Sequence, residues 1–220
     1  MTGMGMSIRA FIFDFDGTLA VLNIDFLQMR AAVEELAVAR GIPREELAGL
    51  YVLEMIEAGA RHLEGKDGKA AVFQRDAHEM ICRLELEAAR HGELLPGMRE
   101  MLAALKKRAI ATAVVSRNCG DAIRRTFPDI DLWCNAVIPR EGAPHVKPHP
   151  DHLRVALAAL DVPPTAAVMV GDHPIDVKAG RDAGLFTIGV LTGAPGPDKF
   201  AADPPDRILP SAADIVALLA

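Results

Sequence analysis

Five short apolar runs recur along the chain, at Ala10 to Phe13, Ile110 to Val115, Ala136 to Ile138, Ala167 to Val170 and Phe186 to Val190. Continuous rather than alternating, they predict parallel strands buried on both faces. Between and after them, Gly97 to Arg108, Gly120 to Phe127, His149 to Leu160 and Pro174 to Ala183 repeat apolar residues three and four positions apart. That is the period of a helix with one buried face. Strands alternating with such helices predict an α/β fold built on a doubly wound parallel sheet.

The alternation stops between Leu19 and Leu95. Roughly 75 residues pass there without a strand-like run, far more than a strand-to-helix connection needs. They predict an inserted α-helical cap domain. One helix runs from Asp25 to Arg40 and is closed by Gly41, a second begins with Pro43 in its first turn, and a third runs from about Lys69 to Arg90 before Gly92. The sequence LLPGM, Leu94 to Met98, marks the return to the sheet. The expected organisation is a Rossmann-like catalytic core of residues 1–19 and 95–220 with a helical cap of residues 20–94.

Composition narrows the function. Half of the 220 residues are apolar and a quarter are charged, which is a globular composition. A net charge of −6 argues against a nucleic-acid partner, because phosphate-backbone binding needs a basic stripe. A small phosphate ester needs only local cations and backbone N–H groups. No run approaches the roughly 18 apolar residues of a membrane span, and MTGMGMSIRA has no apolar leader core, so a cytoplasmic protein away from membranes is expected. Cys82, Cys119 and Cys134 form no C-x-x-C pair and read as thiols. The sequence leaves the oligomeric state open.

The sharpest chemical signal is FIFDFDGTL, Phe11 to Leu19, where a buried strand ends in Asp14 and Asp16 followed by Gly17 and Thr18. Ligands of open α/β sheets bind at the carboxyl ends of strands. A turn accounts for Asp16 and Gly17. It does not account for Asp14, whose charge at the end of a core strand needs a partner. Two hard carboxylates and a phosphate oxygen suit Mg2+. A second strand end, VMVGDHPID, adds Asp172 and Asp176, for which a helix start with Asp172 as N-cap is the competing reading. Two further strand ends carry Ser116 and Lys147. Ser116 is a candidate to donate its hydroxyl to phosphate while the next backbone amides cradle the oxygens, and Lys147 to neutralise the anion. Asn118 reads mainly as a helix cap. Cys119 and Arg125 match the C-x-x-x-x-x-R spacing of cysteine phosphatases, but the GDAIR between them has the pattern of a helix rather than of a glycine-rich cradle.

Taken in order, DFDGT at Asp14 to Thr18, Ser116, Lys147 and GDHPID at Gly171 to Asp176 resemble the four motifs of the haloacid dehalogenase superfamily. The insertion after the first motif resembles its helical cap, and Ala183 to Gly193 is similar to its phosphoglycolate phosphatase-like branch. After DGTL the chain continues with Ala20, Val21 and Leu22 where that family usually has Asp-Ser or Asp-Thr. The resemblance implies a Mg2+-dependent phosphomonoesterase of a small phosphorylated metabolite. Asp14 would be the nucleophile that becomes an aspartyl-phosphate, and Asp16 the general acid and base. Asp14, the Asp16 carbonyl, Asp172 and Asp176 would hold the metal, and Ser116 and Lys147 would grip the phosphoryl oxygens. Thr18 and Arg117, beside these residues, complete the expected substrate contacts. A phosphomutase of the β-phosphoglucomutase type, or a regulatory module without turnover, would keep the same motifs. Cap cations such as Arg30, Arg61, His62 and Arg75 are candidates to meet a substrate carboxylate or second phosphate, against the plainer reading that they solvate helix faces.

Overall fold

The computed structural model describes residues 7–193 and 197–219, so most of the leader stretch read above lies outside the described residues. The chain forms two compact units, Asn23–Arg90 and Met1–Leu22 with His91–Ala220.

The Asn23–Arg90 unit contains α1 (Phe26–Ala39), α2 (Val52–His62) and α3 (Lys69–Ala88). The side chain of Asp25 caps α1 by accepting from the Gln28 N–H at 2.9 Å. Buried Met29, Val33, Leu53, Ile56, Phe73, Ala77 and Ile81 supply its core. The helix expected from Pro43 does not form as one element. Pro43 leads only a 3-10 turn, Arg44–Leu47, and α2 starts at Val52. Gly49 between them sits at φ +74°, a left-handed conformation that ends any helix and that glycine adopts without steric cost.

The other unit is built on strands β1 (Ala10–Phe13), β4 (Ala111–Val115), β5 (Ala136–Ile138), β6 (Ala167–Gly171), β7 (Phe186–Val190) and β8 (Arg207–Leu209), numbered to leave room for the short pair β2 (Ala20–Val21) and β3 (Glu93–Leu94). The six form one sheet in the order β5-β4-β1-β6-β7-β8, every neighbour parallel. From β1 the chain goes to β4 and β5 on one side, then crosses to β6, β7 and β8 on the other. The order therefore reverses at β1, and the crevice of a doubly wound sheet opens at the carboxyl ends of β1, β4 and β6. Helices α4 (Met98–Lys107), α5 (Gly120–Thr126), α6 (Asp151–Leu160), α7 (Pro174–Asp182) and α8 (Ile215–Leu218) complete the unit. One face of the sheet packs Ala10, Ile12, Ala113, Val115 and Met169 against Leu153, Ala156 and Leu157 of α6 and Ala179 of α7. Helix α6 starts at Asp151, two residues later than its periodicity predicts, because a residue before proline avoids the helical region and His149 precedes Pro150.

Strand β8 and the antiparallel β2–β3 pair, Ala20 opposite Leu94 and Val21 opposite Glu93, are additions to the sequence reading. The β2–β3 pair belongs with the sheet unit, which accordingly extends a few residues past the expected boundaries on both sides of the insertion. Among the described residues no helix is long and apolar enough to cross a membrane.

Candidate active site

Backbone pairing fixes Asp14 before its side chain does anything. Its N–H donates to the Val170 carbonyl at 2.8 Å, carrying the β1–β6 ladder one residue past the strand. The chain then turns sharply, with the Leu19 and Ala20 N–H groups both donating to the Phe15 carbonyl, at 2.9 and 3.0 Å. Gly17 makes the turn possible. It sits at φ +85°, and a Cβ there would come within 2.7 Å of the Asp172 carboxylate. Two more glycines make room in the same way: a Cβ on Gly171 would lie 2.3 Å from Asp176, and one on Gly193 would lie 1.8 Å from Asp172.

What these close approaches permit is a cluster of three buried carboxylates, Asp14, Asp172 and Asp176, each with an oxygen within 4.8 Å of the other two. Lys147 lies in the middle. Its Nζ is 2.6 Å from Asp14 Oδ1 and 2.7 Å from Asp176 Oδ1, and the residue is 1% exposed. The Thr18 hydroxyl, also buried, sits 3.5 Å from both Asp14 Oδ2 and Asp172 Oδ1. The competing reading, in which Asp172 caps α7, is not met. His173 is the cap, its Nδ1 accepting from the Ile175 N–H at 3.2 Å while Asp176 Oδ2 accepts from the His173 N–H at 3.1 Å. Asp176 thus serves two partners, one oxygen on the helix start and the other on Lys147.

The charges do not balance. Three carboxylates face the buried Lys147 ammonium, with a second, partly buried cation, Lys199, acting on Asp172 and Asp176. Burial pushes Asp14 up to about 8, with the Asp176 and Asp172 charges adding to it and Lys147 opposing. Asp172 is pushed up to about 6, again chiefly by burial and then by Asp176. For Lys147 burial works the other way, but the two carboxylates outweigh it and hold the ammonium above the ordinary lysine value. Asp14 and Asp172 resist ionisation because burial strips them of water and their acidic neighbours add repulsion. Hard oxygens in this number, short of compensating charge, are a donor set that fits Mg2+.

The remaining candidates surround the cluster. Ser116 follows β4 and is fully buried. Its hydroxyl donates to Asn118 Oδ1 at 3.0 Å and accepts from the Asn118 N–H at 3.2 Å. Asn118 is therefore a partner of Ser116, and Cys119 stands at the cap position of α5 without a side-chain cap bond. The cradle expected from the amides after Ser116 is partly taken, since Gly120 N–H donates to the Glu141 carboxylate at 2.8 Å. Glu141 thus takes the first amide of α5, inside the Cys119 to Arg125 span. Arg117 directs one guanidinium nitrogen to the Lys147 carbonyl, at 2.6 Å. Asp16 is half-buried, and its Oδ1 accepts from the Leu22 N–H at 2.9 Å. In the helical unit Arg30 donates to the carbonyls of Leu47 and Leu50, His62 lies 3.0 Å from Glu46, and Arg75 pairs with Asp76 at 2.8 Å. Sequence reasoning did not single out Thr192, whose hydroxyl donates to the Gly17 carbonyl at 2.6 Å and so ties the end of β7 to the first motif. The only signal for it was the Thr-Gly pair after a strand.

With this geometry in place, the comparisons with known proteins are informative. Residues 11–190 match the family described as haloacid dehalogenase-like hydrolase. A haloacid dehalogenase-like hydrolase domain-containing protein of Arabidopsis thaliana is 31% identical over 196 residues, covering 88% of this chain and 76% of that protein. The pyrophosphatase PpaX of Listeria innocua is 27% identical over 225 residues, covering 100% of this chain and 98% of its own length. Among solved structures, CbbY of Rhodobacter sphaeroides in complex with phosphate is 29% identical with a TM-score of 0.64, covering 94% of this chain and 96% of that one.

Proposed function

Because the chain belongs to the haloacid dehalogenase-like hydrolase family, we propose that it is a Mg2+-dependent phosphatase that cleaves a small phosphorylated metabolite through an aspartyl-phosphate on Asp14. The observation that carries the mechanism is the Lys147 ammonium, buried between Asp14 and Asp176 beside Asp172 at the point where the sheet order reverses. The phosphate-bearing and pyrophosphatase relatives support a phosphate substrate.

Asp14 attacks phosphorus, a bond forms from its Oδ, and the bond to the leaving oxygen breaks. Asp16 gives that oxygen a proton, then takes one from the water that attacks the aspartyl-phosphate, which releases phosphate and restores the Asp14 carboxylate. Lys147 counters the anion, and the Ser116 hydroxyl turns from Asn118 to a phosphoryl oxygen by rotation about one bond. Bound by Asp14, Asp172, Asp176 and the Asp16 carbonyl, Mg2+ would cancel part of the repulsion between a phosphate dianion and the acidic cluster. Thr18 supports the carboxylates. The Asn23–Arg90 unit is assigned the choice of substrate, and the cytoplasm is the setting.

Turnover of p-nitrophenyl phosphate tests this reading. It should require Mg2+, stop with EDTA, vanish in Asp14→Asn and stay within a few fold in Cys119→Ser, and trapped phosphate should map to Asp14. Turnover that survives chelation, or a label on Cys119, would overturn it.

A further inference from the structure

Lys147 reaches its carboxylates on four rotatable bonds, so where its ammonium lies depends on where its backbone is held. That backbone is gripped on both sides. Its N–H donates to Nδ1 of His152 at 3.2 Å, and its carbonyl accepts from Arg117 at 2.6 Å. His152 is completely buried in the first turn of α6. Its Nε2 lies 3.2 Å from the Ile138 carbonyl and 3.3 Å from the Pro139 carbonyl. A backbone N–H can only donate and a carbonyl can only accept. The ring is therefore neutral, with its proton on Nε2. The Ile138 carbonyl also accepts the Ser116 N–H at 3.1 Å. One imidazole thus ties the end of β5, where Ser116 is also anchored, to the amide of Lys147.

We propose that His152 is a positioning residue, whose Nδ1 sets the Lys147 backbone in register with the strand ends that carry Asp14 and Ser116. This rests on the assignment of Lys147 to the phosphate. A histidine that only filled the core would need shape and apolar contact, whereas this role needs an acceptor at the δ position and a donor at the ε position. Burial supports the same state by pushing the ring down to about 3, with the nearby Lys147 charge adding to it.

Two near-isosteric substitutions separate the atoms. His152→Asn places Oδ1 where Nδ1 lies and keeps the acceptor for Lys147. His152→Gln reaches the ε position and keeps the donor for Ile138 and Pro139, but offers nothing at δ. Asn gives up the Nε2 proton shared by two carbonyls and Gln the single acceptor at Nδ1, so a merely structural role predicts that Asn is at least as damaging as Gln to melting temperature and activity. Positioning predicts that Asn holds kcat within about threefold, while Gln and His152→Leu lose about 10–100-fold in kcat with a smaller change in KM. Equal activity for Asn and Gln, or Gln the more active, would overturn the proposal. The wild-type protein gives an independent reading by 15N NMR. At neutral pH the His152 ring should show one protonated nitrogen, Nε2, and one bare nitrogen, Nδ1, and the reverse tautomer would also overturn it. Lys147→Ala is the control: if it keeps full turnover, the phosphate assignment of Lys147 has failed, whatever the two His152 variants do.

Discussion

Lys147 is 1% exposed and shares its ammonium between two buried carboxylates, whereas Arg44 and Arg75 of the helical unit are 61% and 64% exposed and meet Glu34 and Asp76 in solvent. Opposite charges meet in both places, with unlike consequences. Solvated partners gain little from each other because water already satisfies them. Buried ones have lost that water, and the loss is repaid only if every charge finds a partner. In the helical unit Arg40, Arg44, Arg75 and Arg90 each pair with a carboxylate inside the unit, and none of these partners is fully buried. The sheet unit crowds three buried acids around one fully buried lysine, with Lys199 only partly buried beside them, a poor arrangement for stability and a useful one for attacking a phosphate.

The widest separation between stability and activity should come from Asp14→Asn. Losing the proposed nucleophile should cut turnover by at least about a thousandfold. In EDTA the same substitution should leave the melting temperature unchanged or raised, because it removes a carboxyl that burial and its acidic neighbours already hold from ionising, while Lys147 keeps Asp176. A clear drop in melting temperature would mean that the cluster is a balanced ion pair after all. The converse change, Lys147→Met, strips the cluster of its cation and should cost about 3 kcal/mol of unfolding free energy in urea without metal.

How far the sequence discloses this arrangement follows from the reach of each signal. β1, β4, β6 and β7 are legible as continuous apolar runs, and Asp14, Ser116 and Asp172 stand out because each follows such a run with a group that the core would reject. Lys147, expected at a strand end, lies instead in a turn well beyond β5 and next to no strand. Arg207–Leu209 and the two-residue strands β2 and β3 are too short to show a period. Pro43 is compatible with a first helical turn of either kind, and only the left-handed Gly49 decides for a 3-10 turn. His152 was illegible for another reason. Its partners are backbone atoms of Lys147, Ile138 and Pro139, brought together by the fold, and one histidine in an amphipathic helix gives no hint of them.

Stability against pH extends the comparison to a buried group that is neutral. The unfolded chain protonates its histidine near pH 6.5, and folded His152 refuses the proton until about pH 3. Between those values the unfolded state holds more protons, so His152 lowers stability as pH falls through the window. From pH 7 to pH 5 the loss from this one group is about 2 kcal/mol. His152→Asn cannot titrate, so urea unfolding at the two pH values should show a correspondingly smaller loss in the variant. Parallel losses would mean that the folded ring accepts the proton easily and that its backbone partners hold it weakly.

The smallest effect is expected where the charges are solvated. Arg44 in the 3-10 turn meets Glu34 of α1, a long flexible side chain against one that is itself a quarter exposed. Holding both in one geometry costs rotamer freedom that the attraction barely offsets, and salt weakens the attraction further. A double-mutant cycle with Arg44→Ala and Glu34→Gln isolates the pair from the effect of each change alone. The coupling should be about 0.5 kcal/mol or less at low ionic strength and vanish in about 0.5 M NaCl, with phosphatase turnover unchanged in all three variants. A coupling of about 2 kcal/mol that survives salt would put this pair in the same class as Lys147 and its acids. Lost turnover would instead make Arg44 or Glu34 a contributor to substrate choice, and the division between a solvated helical unit and a charged, buried sheet unit would have to be redrawn.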